Sequence, residues 1–150
     1  MRSKHLLSIF SALFMSLLLF SCSSDDDSNS GDSATVIAQL ETSIKSGNWR
    51  VSNFVEDGNN QTSNFNGYVF TFGDNGSITA ENGSTTKTGT WVTGIDDSTP
   101  KFIINFPDNN GPFEEISEDW RIENSTNSKI DLKHVSGGDG SIDLLSFTKI

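Results

Sequence analysis

The apolar positions of this chain change their period twice. Leu6 to Phe20 is a predominantly apolar run behind the short basic start Met1-Arg2-Ser3-Lys4-His5. Val36, Ile37, Leu40 and Ile44 then recur at helical spacing, with Ser33 placed to cap that helix and Gly47 to end it. Beyond Gly47 the period falls to two. Gly67 to Phe72 sets Tyr68, Phe70 and Phe72 on one face and Val69 and Thr71 on the other. Lys101 to Phe106 aligns Phe102, Ile104 and Phe106, while Ile130, Leu132 and His134 share a face opposite Asp131 and Lys133.

Trp49 to Val55, Ser77 to Glu81, Gly89 to Thr93, Trp120 to Glu123 and Ser141 to Lys149 bring the total to about eight short strands. Their connections are of hairpin length, marked by Asp74-Asn75-Gly76, Asn82-Gly83 and Gly137-Gly138-Asp139-Gly140. The polar stretch from Glu56 to Asn66 has no period and reads as a loop, and Pro112 to Ser117 has room for one helical turn. Near-regular spacing of this kind describes an antiparallel meander, not β-α-β units. An open sheet of that size leaves two unpaired edges, and closure removes both. The expected fold is therefore all-β: a small up-and-down antiparallel barrel of about eight strands with one N-terminal helix plugging or flanking an end. A two-sheet sandwich shares the same pattern.

Composition sharpens this picture. At 150 residues the chain has the length of one domain. Its hydrophobic fraction of 33% is low, yet eleven Phe, three Trp and one Tyr are too many for a disordered chain. The three Trp, the Tyr and the eight Phe outside the leader are large enough to occupy much of an eight-stranded barrel, so a mostly filled interior is expected. One Cys excludes a disulfide framework and any Cys-based zinc site, and two His leave little for an imidazole-based one, so neither a cofactor nor a metal is expected. A net charge of −10 argues against nucleic acid, whose phosphates would repel it.

The N-terminus reads as an address. The apolar run has the length of a signal-peptide core and falls short of the ~20 residues a spanning helix needs. It ends at Leu19-Phe20-Ser21-Cys22, which resembles the lipobox of bacterial lipoproteins, where the Cys becomes the acylated first residue. Residues 1–21 are thus expected to be a lipoprotein signal peptide and Cys22 the lipid anchor, carrying acyl chains such as palmitate. Multiple chains, each CH₂ contributing about 0.8 kcal/mol, would make the attachment stable. Residues 22–33, opening Cys22-Ser23-Ser24-Asp25-Asp26-Asp27, form an acidic flexible tether before the domain at 34–150. The acidic run also looks like a signal for export to the outer face of the outer membrane. A calcium loop beginning at Asp25 fails on spacing, because Ser30 and Val36 stand where Gly and Glu are required. Asp32-Ser33-Ala34 and Asp97-Ser98-Thr99 each resemble a short O-glycosylation motif.

Gly47-Asn48-Trp49 is similar to the Gly-x-Trp that opens lipocalins. Together with Phe65 to Phe72, Gly89-Thr90-Trp91, Glu118-Asp119-Trp120 and Leu145 to Lys149, it resembles a group of bacterial lipocalin-like lipoprotein domains. The resemblance runs from Gly47 to Ile150 and implies a calycin-type barrel at the cell envelope with no established enzymatic activity. Where lipocalins stack a closing Arg on the first Trp, this chain offers Lys149.

The candidate ligand-binding residues are Trp49, Tyr68, Phe70, Trp91, Trp120 and His134. Each Trp reads either as a core or barrel-end plug or as the lining of a ligand mouth. His134, without a second His or a Cys, reads as a hydrogen-bonded rim residue before a ligand or base, and a hydrolase would need a second carboxylate or His close to it in space. Glu114, Glu115, Glu118 and Asp119 are the densest acids of the folded part and read as a solvated surface or a weak cation site. No catalytic residues are expected, since a Ser nucleophile needs a base and His134 is the one His beyond the leader. The chain is thus expected to bind a small apolar or amphipathic ligand. Alternatively, it is a filled-barrel interaction or glycan-binding accessory protein beside an outer-membrane partner.

Overall fold

The computed structural model describes residues 28–138 and 140–150; the leader, Cys22 and the acidic run lie outside them. A helix, α1 (Ser28–Ile44), precedes nine strands: β1 (Asn48–Glu56), β2 (Asn59–Asn60), β3 (Val69–Phe72), β4 (Ser77–Asn82), β5 (Thr85–Asp96), β6 (Thr99–Asn105), β7 (Asp119–Ser125), β8 (Lys129–Val135) and β9 (Ile142–Lys149). A 3-10 turn spans Thr62–Phe65, and a short helix, α2 (Pro112–Glu115), connects β6 to β7. From β3 to β9 every strand pairs antiparallel with the next. β1 closes the sheet by pairing with β9, from Trp49 opposite Lys149 to Val55 opposite Leu144. The molecule is thus a closed eight-stranded antiparallel barrel, not a sandwich, and β2 is a two-residue addition on the far end of β1.

The alternation along the strands becomes the inside of this barrel. Trp49, Phe54, Phe70, Ile78, Phe102, Trp120, Ile130, Leu145 and Phe147 are fully buried. Their rings pack edge to face, as in Phe70 against Phe147 at 5.4 Å and Phe72 against Trp91 at 6.1 Å. Both ends are plugged. Across one end lies α1, which sends Leu40 and Ile44 into the core and rests on β5, β6 and β7. At the other end Phe65 of the 3-10 turn and Phe113 of α2 meet at 5.5 Å.

Three features depart from the sequence reading. The helix begins at Ser28, so Ser33 lies within it instead of capping it, and its buried hydroxyl donates to the Ser98 carbonyl at 2.7 Å. The two glycosylation-like triplets therefore touch each other. The stretch from Glu56 to Asn66 carries β2 and the 3-10 turn. β5 is much longer than its apolar pattern, because the Thr-rich ends that lack a buried face are still held by pairing to β4 and β6.

Two glycines are fixed by close approach. Gly47 has φ +104°, and a Cβ there would stand 2.9 Å from Lys149 Cε. At Gly89 a Cβ would stand 2.3 Å from the Asn105 carbonyl oxygen.

Candidate binding sites at the seam and the rim

The barrel wall parts at one seam. β1 and β3 share only Asn48–Thr71 and Trp49–Phe70 before separating. Just beyond, the β1–β9 ladder shifts register between Val51 and Asn53, the mark of a bulge. Past the bulge the β1 backbone is satisfied by the segment after β2, with Thr62 Oγ1 accepting from the Phe54 N–H at 2.8 Å and the Gln61 N–H donating to the Phe54 carbonyl at 2.8 Å. What remains is an open groove of about 500 Å³ lined by Arg50, Val51, Ser52, Tyr68, Val69 and Ile150, among others. Tyr68 is half-buried there, its ring 5.1 Å from Phe113.

The second site lies at the barrel end opposite α1. Glu118, His134 and Asp143 continue the inward faces of β7, β8 and β9, beyond the buried Trp120, Leu132 and Leu145. His134 pairs directly with Asp143 across the β8–β9 ladder, and its Nδ1 lies 3.4 Å from Asp143 Oδ2. The other oxygen of Asp143 accepts the Asp57 N–H at 2.9 Å. His134 Nε2 then faces Glu118 at 3.8 Å and Asp119 at 3.7 Å. The ring also meets Trp120 edge to face at 6.0 Å. Beside it opens a crevice of about 380 Å³ whose lining includes Asp97, Lys101, Asp119, Arg121, Lys133 and His134. At this same end burial, reinforced by the negative charges of Glu115, Asp143 and Asp57, pushes the Glu56 carboxyl up to about 7.

The six residues singled out as ligand-binding divide accordingly. Trp49, Phe70 and Trp120 are fully buried and Trp91 nearly so, and all four pack the interior. Each indole N–H is spent on a backbone carbonyl of a neighbouring helix end or connection: Trp49 on Ile44 at 2.9 Å, Trp91 on Gly73 at 3.2 Å, and Trp120 on Ile116 at 3.0 Å. Tyr68 lines the seam and His134 the rim crevice. Lys149 does stand over the first Trp, with Nζ 5.8 Å from the Trp49 ring and donating to Ser46 Oγ at 2.9 Å. Sequence reasoning missed Asp143 and the β1 side of the seam. The first carries no motif, and the second arises from a loss of register that the alternation of β1 does not show.

No family model and no curated protein matches the sequence. Among solved structures, the chain is similar in fold to a DUF4847 family protein from Bacteroides vulgatus, with a TM-score of 0.50 at 17% identity over 74% of this chain and 97% of that one. The likeness lies in the barrel architecture.

Proposed function

We propose that this chain is a lipid-anchored, non-enzymatic binding module on the outer face of the outer membrane, and that it holds a small apolar or amphipathic ligand in the β1–β3 seam. The observation that carries the reading is the contrast between a barrel filled by its own rings and a side groove large enough for a small molecule. Arg50 at its edge and Tyr68 within it suit a ligand with an apolar body and a polar or anionic head. The address rests on the leader and Cys22. The absence of catalysis rests on the partners of His134 Nε2, which are carboxylates and not the hydroxyl or thiol that a nucleophilic dyad activates.

Displacement of a fluorescent fatty acid, with native mass spectrometry of protein purified from its own host, tests this. Ser52→Trp, which fills the groove from an exposed position, is expected to abolish displacement, and Tyr68→Ala to weaken it about tenfold or more. Equal displacement by wild type and Ser52→Trp would remove the seam as the site.

A second reading is an interaction protein with a filled barrel. It is favoured by apolar pairs on the outer wall, Val92 opposite Ile103 and Val135 opposite Ile142, all exposed. Photocrosslinkers placed at Val92 and Val135 in intact cells would join an outer-membrane partner under this reading and none under the first.

A further inference from the structure

The rim cluster carries chemistry that the seam does not use. Its donors are one imidazole nitrogen and two carboxylates, contributed by the ends of adjacent strands, and the three ligand atoms lie within 4.8 Å of one another. The gaps from His134 Nε2, 3.8 and 3.7 Å, are too long for direct hydrogen bonds. They do fit two donors on one metal ion, which at bond lengths of about 2.1 Å can stand up to ~4.2 Å apart. The imidazole is also held as a metal ligand is held. Asp143, itself buried and fixed by the Asp57 N–H, sits against Nδ1 and directs the lone pair of Nε2 outward. The apolar floor under the ring, Trp120 at 6.0 Å, keeps it from swinging inward.

We infer that Glu118, Asp119 and His134 form a binding site for a divalent first-row transition ion such as zinc, with Asp143 orienting the imidazole. The nitrogen donor selects against calcium and magnesium, which take oxygen ligands. Three protein ligands leave coordination positions open toward the crevice, so the bound ion would also carry water or a donor atom from a ligand. Lys101 is accommodated, because it pairs with Asp119 Oδ2 at 3.3 Å while Oδ1 faces the imidazole.

Zinc alone, titrated calorimetrically into the full chain in detergent, tests the site; Cys22→Ser is included so that no thiol competes. One equivalent is expected to bind, with calcium unable to displace it. His134→Gln should weaken binding tenfold or more, as should Glu118→Gln with Asp119→Asn. Asp143→Asn should weaken it about 10- to 100-fold, the range for a residue that orients a ligand. Circular dichroism of each variant separates a lost site from a lost fold. Absence of a stoichiometric zinc isotherm, or affinity unchanged in folded His134→Gln, would overturn the inference.

Discussion

The three tryptophans show how single residues join sheet to connections. An indole is large enough to fill a barrel layer, and its one N–H must be spent when buried. Trp49 spends it on Ile44, the last residue of α1, whose carbonyl has no partner within the helix, and Trp120 spends it on Ile116, just past α2. Each ring therefore fixes both the core and the element that caps it. Trp120→Phe keeps an aromatic ring, though a smaller one, but leaves the Ile116 carbonyl short of a donor in the interior, and should cost about 1–3 kcal/mol or more in urea unfolding. Gly89→Ala should cost a similar amount, about 1–3 kcal/mol, because the new methyl meets the Asn105 carbonyl of the paired strand, which cannot move without breaking the ladder.

Among elements, the joint between β1, β9 and α2 couples titration to folding. Glu56, at the end of β1, accepts from Gln61 Nε2 at 2.7 Å and is surrounded by Glu115, Asp143 and Asp57. Its carboxyl titrates near 7 in the folded chain and at an ordinary 4.5 when exposed. Between those values the native state holds a proton that the unfolded chain releases, so stability falls as pH rises from about 4.5 to about 7 and levels off beyond. Thermal melts should show the decline in wild type and a flatter profile in Glu56→Gln. Nothing in the sequence announces this joint, for Glu56 sits in a stretch without period, and its neighbours come from α2, β9 and the residue that follows it. What alternation could reveal, it did: the inward faces of β3, β6 and β8 were legible because Phe, Ile and Leu recur at every second position. The ends of β5 were not, since Thr85 to Thr88 carry no apolar face and are strand only through their partners. The rim site was half visible. Glu118, Asp119 and His134 stood out as residue types, but their meeting depends on the register of β7, β8 and β9, and the role of Asp143 is set wholly by its place opposite His134.

For the whole molecule, closure makes the barrel and the helix one cooperative unit. Burying Leu40 and Ile44 contributes roughly 1.5–3 kcal/mol each, a large share of the 5–15 kcal/mol typical of a domain. Deleting residues 28–44 would also strip the acceptor from the Trp49 indole. The shortened chain should lose its near-ultraviolet circular dichroism and its cooperative melt, whereas removal of residues 1–21 should leave both intact. The likeness to the Bacteroides vulgatus protein, at 17% identity, is one of fold between chains of very different sequence.

Under the proposed acylation at Cys22, the position of α1 across one mouth of the barrel also sets which end the anchor joins. Ser28 follows Cys22 by six positions, a span of at most ~20 Å at full extension. With the proposed acylation at Cys22, the helix-covered mouth would stand nearest the bilayer like the foot of a pedestal. The acidic pole bearing His134 would point away, toward whatever the surrounding medium delivers.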